Sequence, residues 1–324
     1  MYRGDFVKYC VLLLKDVHSS GKELLKQNDC EVKIAKGQNI EDYIDELKIC
    51  DAIFVRNEPV TREMIDKAPN LKVIAKHGVG YDNIDVAYAT EKKIQVVYVP
   101  KGNIESVADM TMLHILSCAR KIHQTQNEFY GGNYNIRYQM SGTHQLKNKI
   151  LGLIGCGNIA KLVAKRAKYG FGMKVIGYHP RRPEGIDENG IQIMNDREAV
   201  FKMADFISIH LPAKKDTIHS IGMYEFELMK PTAYLINTAR GNIVREDELI
   251  TALEKKEIAG AGLDVFAKEP VDLNNPLLHM ENVFATPHCS GLTDEASENL
   301  SYIGAKQILE VFHHEPVDYP VNNI

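Results

Sequence analysis

The sequence predicts an α/β protein made of two domains, each a parallel sheet flanked by helices. Three observations carry this. Short apolar, strand-like segments alternate with helical ones along the 324 residues, the pattern that yields parallel sheets covered on both faces. Eleven strand segments can be picked out, more than one doubly wound sheet comfortably holds. A strand, a glycine-rich turn, a helix and a second strand then follow one another in "KILGLIGCGNIAKLVAKRAKYGFGMKVIGYHPRRP", Lys149 to Pro183, which is the order of a Rossmann-like unit.

The elements run as follows. In the first third the strands are "YCVLLL", "EVKIAK", "AIFVRN", "KVIAKHG" and "IQVVYV", separated by helical "GKELLKQ", "IEDYIDELKIC", "TREMIDKAPN" and "NIDVAYATEKK". Later strands are "KILGLIG", "MKVIGYH", "DFISIHL", "AYLINTA", "GAGLDVF" and "NVFATPH". Between the two sets, Pro100 and Gly102 break the chain before "NIESVADMTMLHILSCARK". Asn103 or Ser106 can cap a long helix there. Its apolar residues cover more than one face, which predicts burial all round, between domains or subunits. The tail from Asp294 reads as one helix and an extended end. The expected division is a discontinuous first domain of residues 1–102 and 294–324, and a second domain of residues 103–293.

Composition narrows the function. The net charge of −4 gives no electrostatic reason to expect nucleic acid or an anionic membrane surface. No apolar run approaches the roughly 18 residues of a membrane span. The opening "MYRGDFVKYCVLLLKDVHSSGK" has a short apolar core, is followed by charge and lacks a small-residue cleavage site, so it reads as a strand and not a leader. The six cysteines have no metal or redox spacing, and a reducing cytoplasm without a bound metal is expected.

Gly155-Cys156-Gly157-Asn158-Ile159-Ala160 fits G-x-G-x-x-A between strand and helix. Gly155 permits the tight turn, Gly157 lets backbone approach a pyrophosphate, and Ala160 lets the helix pack closely. The helix start, at Asn158 and Ile159, favours phosphate charge. A dinucleotide is therefore the expected ligand. Where the second strand of an NAD site presents an acid to the ribose, this one presents His179, followed by Arg181 and Arg182. An acid would repel a 2′-phosphate, whereas arginine suits it, so NADP is favoured. A solvated arginine pair beside a neutral His179 would leave NAD accepted, and Glu184 and Asp187 could blunt the preference.

Ligands of open α/β sheets sit outside the carboxyl ends of the strands. There the later strands deliver Arg240, then Asp264 within its strand and Glu269 just past it, then His288. Arginine can clamp a carboxylate, histidine can donate a proton near neutrality, and a neighbouring carboxylate fixes its tautomer. Together they suit reduction of a 2-oxo acid, with hydride going to C2 and the proton of His288 to the oxygen. Each residue also has a structural reading: Arg240 as a bridge between carboxylates, Glu269 in a turn before Pro270, His288 as a loop cap.

With these residues in view, the chain resembles the D-isomer-specific 2-hydroxyacid dehydrogenase family over nearly its whole length. The resemblance rests on "NLKVIAKHGVGYDNID", "ESVADMT", "HLP", "LINTARGNIVREDELITALE", "AGAGLDVFAKEP" and "TPHCSGLTDEA". It implies that Arg240 binds and polarises substrate, that Glu269 pairs with the acid/base His288, and that the turn Lys76 to Gly80, with amides near Gly78 and Val79, takes the substrate carboxylate. It also implies that Asp264 binds the nicotinamide amide, that Thr111, His210, Pro212, Thr238 and Ala239 line the cofactor cleft, and that the long helix forms a homodimer. The cleft would lie between the domains and close over the hydride.

Two departures stand out. Relatives using NAD usually carry Asp where this chain has His179. Cys289 replaces the commoner glycine or alanine after the histidine, as a small packed residue or an oxidation-sensitive thiol. The chain stops at Ile324, so an appended regulatory domain and control by serine are not expected. The implied substrates are glyoxylate and hydroxypyruvate, then 3-phosphohydroxypyruvate, whose phosphate Arg56, Lys76 and Arg137 could meet unless they are solvated charges. A dinucleotide-sensing corepressor, or a formate or phosphite dehydrogenase, would use the same fold.

Overall fold

A computed structural model describes residues 9–37 and 39–324. Residues 1–8, part of the stretch weighed as a leader, lie outside the described residues. Contacts divide the chain into two compact units: the chain up to Asn103 with Leu292–Ile324, and Ile104–Gly291.

The first unit holds a five-stranded parallel sheet of β1 (Tyr9–Leu13), β2 (Cys30–Ile34), β3 (Ala52–Val55), β4 (Val73–Lys76) and β5 (Gln95–Val97), in the order β2-β1-β3-β4-β5. β3 and β4 are buried along their whole length. That is why their sequences read as continuous apolar runs and not alternations. One face packs Val11, Leu13, Phe54 and Ala75 against Ile308 and Phe312 of the helix Asp294–Phe312. The helix Ser19–Gln27 lies close to it, because a Cβ on Gly21 would sit 2.5 Å from the Ser301 carbonyl oxygen. After that helix the tail pairs with the sheet edge: Val321 N–H donates to Val96 O at 2.8 Å, and Asn322 Oδ1 accepts from Val96 N–H at 2.7 Å.

The second unit holds β6 (Ile150–Ile154), β7 (Lys174–Tyr178), β8 (Gly185–Ile186), β9 (Gln192–Met194), β10 (Phe206–Ile209), β11 (Tyr234–Asn237), β12 (Gly260–Leu263) and β13 (Val283–Ala285). Their order is β13-β12-β11-β10-β6-β7-β9-β8. All neighbours are parallel except β8 and β9. The chain order reverses between β6 and β10, so the glycine turn after β6 lies at the switch point where such sheets take ligands. β8 and β9 are additions to the expected strands. They are two and three residues long, too short for a periodic signal, and Asp187 organises their turn by accepting the N–H groups of Asn189 and Ile191.

The long helix spans Ile104–Arg120, so Asn103 and not Ser106 precedes it. Within the single chain one of its faces stays exposed: Leu113 is 46% exposed and shares that face with exposed Glu105 and Asp109. Asp264 lies one residue past β12 and not inside it. Among the described residues no helix is long and apolar enough to cross a membrane, and no cluster could hold a metal ion. All six cysteines are free.

Candidate active site

The glycine turn requires its glycines for different reasons. Gly155 has φ +97°, and a Cβ there would lie 2.7 Å from the carbonyl oxygen of His210, so both backbone and space exclude a side chain. Gly157 is the N-cap of the helix Asn158–Lys165, and a Cβ there would meet nothing within 4 Å. The exposed backbone of Gly157 and Asn158 thus leaves open space at a helix N-terminus, a setting that suits a pyrophosphate. Ile159 is half-buried and Ala160 fully buried. Cys156 fills space: its sulfur lies where a Cβ on Gly177 would collide, and burial pushes the thiol up to about 11.

At the end of β7, His179 Nδ1 accepts the N–H of Arg181 at 3.2 Å. Partial burial and the two arginines hold its imidazole below the usual range. Arg181 is exposed. Arg182 lies 3.7 Å from Asp187, a long ion pair, while Glu184 accepts the N–H of Asn195. Of the two nearby acids, only Asp187 therefore opposes the basic pair directly.

Three adjacent strands end in the charged set. After β11, the buried Asn237 pins the turn, donating to Arg240 O and accepting the N–H of Ala239. The Arg240 guanidinium donates to Ala239 O at 2.8 Å. A Cβ on Gly241 would fall 2.0 Å from the Phe266 backbone, so the Arg240 turn lies directly against the loop leading from β12 to Glu269. There Glu269 Oε1 accepts the N–H of Phe266 at 3.1 Å, and Oε2 lies 2.6 Å from His288 Nδ1. One carboxylate oxygen is anchored to the loop and the other holds the imidazole. The ring's Nε2 is left for other chemistry, and the side chains of the pair remain about one-third exposed, 31% and 35%.

Asp264 is fully buried. Its Oδ1 accepts from Thr286 Oγ1 at 2.5 Å and from Cys289 N–H at 2.9 Å, and its Oδ2 accepts from Ser290 N–H at 2.9 Å. Its carboxylate is thus engaged with the turn after β13. Thr286 and Ser290 escaped the sequence reading, as did His114, whose Nε2 lies 3.0 Å from Thr286 Oγ1. Cys289 is half-buried, and burial raises its thiol, which favours the packed reading over a reactive one.

Of the other residues expected to line the cofactor, His210 and Pro212 follow β10, Thr238 and Ala239 follow β11, and Thr111 lies inside the helix Ile104–Arg120. Thr111 and Thr238 share a 2.8 Å hydrogen bond. His210 Nε2 bonds Ser208 at 2.9 Å, and desolvation pushes its imidazole down to about 4. Pro212 is exposed, its carbonyl accepting from Thr217 at 2.5 Å, and Ala239 is half-buried.

In the first unit, Lys76 is buried, its ammonium donating to Arg56 O and, at 3.1 Å, to Asn83 Oδ1. It is neither a solvated charge nor turned outward. The Gly78 N–H bonds Lys76 O at 3.0 Å, and Val79 is half-buried. Arg56 donates to Asp16 O at 3.4 Å. In the second unit Arg137 lies over the rings of Tyr134 and Tyr138, at 4.6 and 4.4 Å.

Fold and glycine turn define a Rossmann-type dinucleotide-binding protein. The family model for the NAD binding domain of D-isomer specific 2-hydroxyacid dehydrogenases matches residues 112–290. A glyoxylate reductase of Thermococcus litoralis is 42% identical over 78% of this chain and 77% of its own. A D-3-phosphoglycerate dehydrogenase of Methanocaldococcus jannaschii is 40% identical over 96% of this chain, which spans 59% of that relative's length. The D-lactate dehydrogenase of Aquifex aeolicus, solved with NAD and lactic acid, superposes with a TM-score of 0.86 at 29% identity, covering 97% of this chain and 99% of its own. The chain belongs to the D-isomer specific 2-hydroxyacid dehydrogenase family.

Proposed function

We propose that the protein interconverts a small 2-oxo acid and its D-2-hydroxy acid, using a nicotinamide dinucleotide. The observation that carries this is the 2.6 Å pair of His288 and Glu269 at adjacent strand ends, with the Arg240 turn packed against the Glu269 loop. The open helix N-terminus at Gly157 and Asn158 fits a pyrophosphate, and the dinucleotide, when bound, supplies or accepts the hydride.

The chain's residues then do the following. Arg240 holds the substrate carboxylate and polarises the adjacent carbonyl. His288 gives its Nε2 proton to the carbonyl oxygen as C2 gains hydride, and takes it back in the reverse direction. Glu269 fixes the tautomer by accepting from Nδ1–H and stabilises the imidazolium that forms in the oxidative direction. We assign carboxylate-binding amides to Gly78 and Val79, with Lys76 as a buried strut beneath them, and cofactor contacts to Thr111, Thr238, Ala239, His210 and Pro212. Asp264 is assigned to the nicotinamide amide on the family resemblance alone. The two units take the substrate-binding and nucleotide-binding roles in chain order.

NADP is the proposed cofactor, because His179 and not an acid directly follows β7 and Arg181 is exposed beside it. Glyoxylate and hydroxypyruvate are the proposed substrates, ahead of 3-phosphohydroxypyruvate. Arg137, stacked on tyrosines, and Arg56, bonded to Asp16, weaken the case for a phosphate site. We propose a homodimer formed through the long helix, where Leu113 is exposed, and a cytoplasmic location in keeping with six free thiols. The test is a spectrophotometric screen of these three acids with NADPH and NADH. Oxidation of cofactor with one of them is expected; no oxidation with any would favour a dinucleotide sensor.

A further inference from the structure

Beneath the imidazole lies a buried hydrogen-bonded chain. His114 sits on the inward face of the helix Ile104–Arg120, fully buried, with its ring edge-on to Phe284 at 5.0 Å. Gly262 of β12 makes room for it, since a Cβ there would lie 3.1 Å from the ring nitrogen Nδ1. The Thr286 hydroxyl has one proton, and the 2.5 Å contact gives it to the Asp264 carboxylate. His114 Nε2 must therefore be the donor to Thr286, at 3.0 Å. This makes the ring the neutral Nε2–H tautomer, in keeping with a pKa pushed down to about 4 by burial. Nδ1 makes no hydrogen bond within the protein.

The chain ends on the residues flanking His288. Asp264 grips the turn from both ends of its own residue: its carbonyl accepts the His288 N–H at 2.7 Å, and its carboxylate accepts the N–H groups of Cys289 and Ser290. His288 itself has φ +52°, the left-handed region that costs a non-glycine residue energy. Such a conformation persists only when its surroundings over-determine it. The three backbone bonds to Asp264 do so, and Thr286 with His114 fixes Asp264.

We propose that His114 and Thr286, acting through Asp264, are positioning residues that lock the 286–290 turn and so hold the His288 imidazole on Glu269. Asp264 is thereby a structural clamp of the acid/base residue. The role of the clamp in turnover rests on the proposed function, but the clamp itself does not.

The experiment compares Thr286→Val, Thr286→Ser and His114→Leu in the full chain. Nitrogen NMR of the imidazoles in the cofactor-free protein reads the His288 tautomer, its signal assigned with His288→Ala. One fixed Nδ1–H state is expected in the parent and in Thr286→Ser, and a mixture of tautomers in Thr286→Val and His114→Leu. With glyoxylate and NADPH, Thr286→Val should lose about tenfold or more in kcat with KM little changed, while Thr286→Ser stays near the parent. A fixed tautomer in both Thr286→Val and His114→Leu overturns the clamp. Should the parent turn over no 2-oxo acid, the functional reading fails, and the tautomers still decide the clamp. Should Thr286→Val fail to fold, His114→Leu decides it by the same signal.

Discussion

His288 Nδ1 lies 2.6 Å from Glu269 Oε2, and the other oxygen of the same carboxylate is held by the N–H of Phe266. A charge and an anchored geometry are thus combined in one side chain. Glu269→Gln keeps the shape and removes the charge that balances an imidazolium. The expected loss is about a hundredfold in kcat/KM. Steady-state kinetics in both directions check it, and the oxidative direction, in which His288 must become positive, should suffer more.

The proposed preference for NADP rests on three side chains. His179→Asp places a carboxylate where a 2′-phosphate would lie, and should shift the ratio of kcat/KM towards NADH by about tenfold or more. Asp187→Asn removes the acid 3.7 Å from Arg182 and should shift it the other way, by less. Paired kinetics with NADH and NADPH read both. Equal efficiency of the parent protein with the two cofactors would reject the phosphate assignment.

Gly155→Ala tests the turn itself. The new methyl would meet the His210 carbonyl oxygen at 2.7 Å with the backbone at φ +97°. Destabilisation of about 1–3 kcal/mol is expected, measured by urea unfolding, together with weaker dinucleotide binding by fluorescence titration. Gly157→Ala, where the space is open, should leave stability nearly unchanged yet weaken binding.

Acid stability should be set partly by buried neutral histidines. Burial lowers His114 from 6.5 to about 4 and His77 from 6.5 to about 3. Below 6.5 the unfolded chain binds protons that the folded one does not, so stability falls as pH falls. The loss begins near 6.5 and runs to about 4 for His114 and to about 3 for His77. Each contributes up to about 1.4 kcal/mol per pH unit inside its window. Thermal unfolding across that range checks it. His114→Leu should flatten the acid limb.

Much of this molecule is legible in the sequence. Most of the eleven strands stand out as apolar runs bounded by polar or glycine-rich chain, and β2, at the sheet edge, as an alternation of charged and apolar residues. The glycine turn and the strand-end charges are local features whose chemistry does not depend on distant contacts. What escaped did so for physical reasons. β8 and β9 are too short to carry periodicity. His114 reads as one residue of an apolar helix, and only the fold sets it beside Thr286, 172 positions away. Asp264 attracts a functional reading because a charge at a strand end is conspicuous, whereas the three hydrogen bonds its carboxylate accepts from the next strand's turn are visible only in three dimensions. Lys76 likewise looks like an exposed cation until its ammonium is seen turned inward to Asn83.

The central claim is that the His288 imidazole exchanges a proton with the oxygen of a 2-oxo acid. Single-turnover and steady-state reduction of glyoxylate by His288→Ala, with circular dichroism to establish folding, measures this most directly. A fall in kcat of about a hundredfold or more is expected. Turnover within about twofold of the parent by the folded variant would contradict it.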